Sequence, residues 1–132
     1  MRLMRFRAIG LVVIGMGVLA ASTMAHHSVP GQFDTTKPMM LKGVISKVDW
    51  INPHIYLHLD VKDKDGTVTN WVLSTLPTAM MRRAGLTKET LQGQPGEVVT
   101  ITAIAARDET KHLGWISKIT YADGHHVQLG RD

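Results

Sequence analysis

The clearest periodic signal lies at residues 54–61, where Ile55, Leu57, Leu59 and Val61 alternate with His54, Tyr56, His58 and Asp60. A two-residue period over this length predicts a half-buried strand whose first set faces the core. Asp63-Lys64-Asp65-Gly66 follows as a hairpin turn, with glycine where a positive φ is needed. The next strand is expected over 67–75, with Trp71 and Leu73 on one face. Upstream, residues 40–50 (MLKGVISKVDW) are rich in β-branched side chains and predict a first strand, with Gly43 as a bulge. Asn52-Pro53 marks the turn between the first two strands.

The pattern changes after Pro77. Residues 78–84 predict a helix, opened by a tolerated proline and stopped by Gly85. Thr87 caps a second short turn, which Gln94-Pro95-Gly96 breaks. Strands are then expected at 98–106 (VVTITAIAA), 115–121 and, after Ala122-Asp123-Gly124, at 125–129; residues 107–114 form a charged loop. The order β-β-β-α-β-β is that of an OB-fold, a partly open Greek-key barrel. The predicted class is therefore mainly β: a small five-to-six-stranded OB-like barrel with one short helical region between strands three and four. A different small α+β sheet is the alternative.

The ends divide the chain. Arg2, Arg5 and Arg7 precede an apolar run at residues 8–21, and small residues flank a cut after Ala25. Charge, short apolar stretch and small-residue site in that order predict a secretory signal over 1–25. The run is too short for a membrane span, which needs roughly 20 apolar residues. Residues 26–39, broken by Pro30, Gly31 and Pro38, read as an extended arm, and 40–132 as the domain. The expected location is periplasmic or secreted, with no transmembrane segment after cleavage.

Charge then reads differently. The whole chain has 15 basic and 11 acidic residues, but removing the three leader arginines leaves twelve basic residues against eleven acids. A nearly neutral exported domain is no electrostatic partner for nucleic acid, even though Trp50, Tyr56, Trp71 and Trp115 offer stacking groups. The absence of cysteine excludes disulfides, thiolate metal sites and cysteine nucleophiles. No G-x-S-x-G elbow or glycine-rich phosphate loop occurs, so hydrolytic and nucleotide-dependent activities have no footing.

All seven histidines remain after the cut. His26 becomes the first residue, and its free α-amine and Nδ1 can chelate one metal; nitrogen ligands of this kind suit Cu(II) best. That amine is readily deprotonated, with an ordinary pKa of about 7.7–8.0. A third nitrogen would come from His27 or from a histidine of the body. His54 and His58 share a face, but at about 3.3 Å per residue their Cα atoms lie about 13 Å apart, too far to hold one ion. His54 is the better candidate because it follows the Asn-Pro turn, a usual border of an OB-fold ligand site; His112 lies in the other bordering loop. His125 and His126 alternate faces. The pairs Met39-Met40 and Met80-Met81 are soft-ligand candidates, although methionine more often fills core gaps.

The segments Ala25-His26-His27-Ser28 and Trp50-Ile51-Asn52-Pro53-His54 resemble the motifs of an uncharacterised family of small exported bacterial proteins. Its mature chains begin Ala-His-His-Ser and carry Trp-x-Asn-Pro-His. Residues 96–107 and 119–124 are similar to it as well. The resemblance implies a periplasmic barrel-like domain and no established activity. The sequence thus predicts a non-enzymatic ligand-binding domain with copper as candidate cofactor and His26, His27 and His54 as candidate metal ligands. The alternative is an interaction module that holds another envelope protein without metal, through the face of strands two and three. A copper-dependent redox enzyme is a further rival.

Overall fold

The structure, a computed structural model, describes residues 28–130. The predicted leader and both His26 and His27 lie outside the described residues. A single turn, α1 (Val29–Gln32), leads directly into β1 (Phe33–Trp50), and β2 (Ile55–Lys62) and β3 (Val68–Ser74) follow. Two short helices, α2 (Thr78–Arg83) and α3 (Lys88–Gln92), precede β4 (Val98–Ala106), β5 (Leu113–Thr120) and β6 (His126–Gln128). Neighbouring strands run β3-β2-β1-β4-β5-β6, and a parallel β3–β5 pairing closes the sheet into a ring. Every other pairing is antiparallel.

The first strand begins at Phe33, seven residues before the start expected at Met40. Only Phe33 and Met39 are large and apolar in this extension, whose pairing with β4 is irregular between Phe33 and Pro38. Phe33 is buried and packs on Trp115, ring centroids 5.9 Å apart. The segment expected as an arm therefore joins the sheet from residue 33 onward.

One 18-residue strand serves two neighbours: Val44–Trp50 pairs with β2, while Phe33 and Pro38–Val44 pair with β4. The bulge lies at Ser46, where the register slips between Ile45 and Lys47, and not at Gly43. The slip explains how Ile45 and Val48, three residues apart, both face the core. Gly43 serves a different purpose. A Cβ there would collide with the backbone carbonyl of Asp60, so the crossing of β1 over β2 requires a bare Cα.

The inward set predicted for the second strand is found: Ile55, Leu57 and Leu59 are fully buried, joined by Leu73, Ile101 and Ile116. The hairpin also forms as expected, with Gly66 at φ 89° and its N–H donating to Asp63 O at 3.0 Å. The helical region holds the helix expected after Pro77 and, as α3, the second short turn expected after Thr87. Thr87 Oγ1 caps α3 by accepting from Thr90 N at 3.2 Å, and Leu91 and Met81 insert into the core. Met81 is therefore a packing residue. Tyr121 fastens α3 to the sheet, its hydroxyl donating to Thr90 O at 2.9 Å and Leu91 O at 3.0 Å.

Candidate functional site

Three groups of chemistry-bearing side chains stand out, and the fold separates them. The first surrounds the Asn-Pro-His turn at the end of β1. Thr78 binds this turn twice: its Oγ1 donates to Asn52 Oδ1 at 3.2 Å and its N–H to Pro53 O at 3.1 Å. The Asn52–Pro53 peptide is cis. These contacts fasten the turn to the start of α2. His54 is exposed beside Tyr56, ring centroids 6.5 Å apart. A shallow depression of about 310 Å³ opens next to the turn, lined by Trp50, Arg82, Leu86, Thr87, Lys88 and Glu89.

The second group lies on the outer face of β1 and β2. The bulge at Ser46 returns Lys47 and Asp49 to one face, where His58 sits across from Lys47. Asp49 Oδ2 meets His58 Nε2 at 2.8 Å, and its Oδ1 meets Lys47 Nζ at 2.6 Å. The hydrogen bond from Lys47, and next that from His58, holds the Asp49 carboxyl below its ordinary range. Farther along β2, Asn70 Nδ2 donates to Asp60 Oδ1 at 2.7 Å. His58 is thus engaged by a carboxylate, a partner that the bulged strand hid from the sequence pattern.

The third group is where the chain enters the domain. Arg107 N donates to Gln32 O at 3.0 Å and its Nε donates to Pro30 O at 2.9 Å, so the turn after residue 28 is held against the end of β4. Arg107 opens the β4–β5 loop and His112 ends it; Lys37 and Glu109 form an ion pair between this loop and β1. His112 O accepts from Val72 N at 2.9 Å, and its ring meets Trp71 edge-on, centroids 5.1 Å apart. Trp71 pairs with Leu59 across β2–β3. His54 stands five residues from Leu59, so strand rise alone separates it from that row by roughly 16 Å.

Of the three candidate metal ligands, only His54 is among the described residues. No group of three or more His, Cys, Asp or Glu positioned for a metal, with or without His54, occurs among the described residues. His125 stacks on Tyr121, centroids 4.4 Å apart and ring planes nearly parallel, and its Nδ1 binds Asp123. The tryptophans have separate neighbours, Trp115 against Phe33 and Trp71 against His112. No helix among the described residues is long and apolar enough to cross a membrane.

The sequence marks the Asn-Pro turn beside His54 but gives no sign of the contacts made by Arg107 and Asp49. Arg107 acts through Pro30 and Gln32, far away in the chain, and Asp49 through Lys47 and, across the strand pair, His58; neither sits in a recognisable motif. The cation pair Arg82 and Lys88 was also missed, since the spacing of two helices around Leu86 is a tertiary property.

A closed, mainly β ring with a helical cover and a motif-bearing turn defines the class of domain. The chain belongs to a family of unknown function, DUF6152, whose model matches residues 14–126. Searches of curated proteins and of solved structures found no match.

Proposed function

We propose that the chain is an exported, non-enzymatic domain of OB-like topology that binds copper through the histidine exposed by cleavage after Ala25. The strand order β3-β2-β1-β4-β5, the parallel β3–β5 closure and the helices between β3 and β4 support the OB-like reading. The observation that carries the metal reading is the double hold of Arg107 on Pro30 and Gln32. It anchors the chain three residues downstream of the histidine pair, so a metal bound at the amine and Nδ1 of His26 stays with the domain. His27 supplies the adjacent imidazole. For a ligand from the body, the register favours His112 over His54, because His112 ends the loop that Arg107 opens.

The test is a Cu(II) titration of protein beginning at His26, beside a version extended by one methionine. Tight binding lost on extension is expected, and His112→Ala weakens it more than His54→Ala. Equal weak binding by both proteins would overturn the copper reading.

The second reading, an envelope protein-protein interaction module without metal, is favoured by the apolar side chains near the Asn-Pro-His turn. Ile51 is 57% exposed, Met80 50% and Tyr56 37%. Recovery of one stable partner from envelope extracts in chelator, abolished by Tyr56→Ser, is its expected result.

A further inference from the structure

The depression beside Trp50 lies between the end of β1 and the two helices. Its walls come from three elements that hydrogen bonds lock together. Thr78 fastens the end of β1 to α2, and Gln92 Nε2 donates to Ile45 O at 2.8 Å to fasten α3 to β1. Tyr121 holds α3 from the opposite side. The shape is therefore present before any occupant arrives, which reduces the ordering that binding requires.

Its lining is apolar at the base and cationic at the rim. Trp50 and Leu86 are half-buried and pack against the core, leaving the remainder of each surface open to the depression. Arg82 and Lys88 are exposed and form no ion pair with any described residue. Glu89 is the one acid on the rim, and hydrogen bonds from its own backbone N–H and from Thr87 hold it ionised at the start of α3. Two cations without a close ion pair, Lys88 reaching Glu89 only through its charge, against one engaged carboxylate leave a net positive rim over an indole.

We infer that this depression binds a small amphiphilic carboxylate, its apolar body against Trp50 and Leu86 and its charge between Arg82 and Lys88. Ligand pockets commonly span about 300–1,000 Å³, and the volume of about 310 Å³ is at the small end, so the occupant carries a single ring or a short chain. A guanidinium presents a planar fork to a carboxylate, and an ammonium presents a point charge; the pair donates to both oxygens. The site uses none of the groups proposed for copper, and stands or falls separately from that reading.

The experiment is a titration of the ¹⁵N-labelled protein in chelator with phenylacetate and, in parallel, with its neutral isostere phenylacetamide. Saturable shifts at the Trp50 indole N–H and the amides of Leu86–Glu89 are expected, with the amide binding at least about fivefold more weakly. Arg82→Gln and Lys88→Gln each weaken phenylacetate by about threefold, the range of a solvent-exposed ion pair. Both residues are exposed, so these variants keep the fold, which the unchanged remainder of the spectrum verifies. Shifts centred elsewhere, equal binding of acid and amide, or no saturation at millimolar concentrations would each overturn the assignment.

Discussion

Tyr121 supports a prediction in which one hydroxyl controls both the stability of the domain and its response to alkali. The side chain is 3% exposed and its hydroxyl donates to the carbonyls of Thr90 and Leu91, so Tyr121→Phe removes the donor that both oxygens share. A net hydrogen bond contributes about 0.5–1.5 kcal/mol, and stranded acceptors raise the cost, giving an expected loss of about 1–2 kcal/mol at neutral pH. For a domain of this size that is a fall in Tm of about 4–16 °C. Burial, with the nearby Glu97 charge, pushes the phenol from 10.0 up to about 12. The folded state thus holds the proton more tightly than the unfolded chain. The associated stability is fully present below pH 10 and is lost as pH rises toward 12. Two pH units correspond to about 2.7 kcal/mol, of which about half is gone by pH ~11. Urea unfolding of both proteins, read at pH 8 and again near pH 11, therefore has a distinctive outcome. The wild type leads at the lower pH and the gap closes at the higher one. Lysine titration is common to both proteins and cancels in the difference. A gap that is absent at pH 8, or that stays constant into alkali, would refute the reasoning.

Three further outcomes follow from the packing. Gly43→Ala drives a methyl group into the Asp60 carbonyl, and because backbone meets backbone no rotamer relieves it; a loss of about 2–3 kcal/mol of unfolding free energy, read as a lower urea midpoint, is expected. Thr75→Val removes the one buried side-chain polar atom among the described residues without a hydrogen-bond partner, so thermal unfolding is expected to occur at the same temperature or higher. Asp49 has its folded pKa lowered chiefly by Lys47, so it stabilises the fold above its ordinary pKa of 3.8 and ceases to as pH falls through the folded value. Asp49→Asn should accordingly flatten the acid limb of the stability–pH profile, and an unchanged limb would dismiss the ion-pair account.

The strands legible in the sequence were those with one clean period. Residues 55–61 alternate without interruption, and β4 matches its expected limits of 98–106. Where a strand serves two neighbours the pattern fails, since Ser46 shifts the inward set by one residue and the polar run from Asp34 to Lys37 carries no alternation at all. The candidate site was legible only as separate residues. His54 and the Asn-Pro turn are local features, but the distance between His54 and His112 depends on which strands pair and in what register. The contacts of Arg107 with Pro30 span 77 residues of chain, and nothing in a local window reports them.

The long first strand also affects how the folded protein behaves toward other copies of itself. Before Val44 it pairs with β4 at Phe33 and from Pro38 on, and no described strand lies on its other side, which leaves a row of backbone groups open to templated pairing. Pro38 withholds one donor from that row, the irregular register beside it bends the strand, and Lys37 adds charge. The polar, proline-containing stretch that looked like a loose arm in the sequence is therefore also a guard against edge-to-edge aggregation, in a chain that has no disulfide to keep it closed.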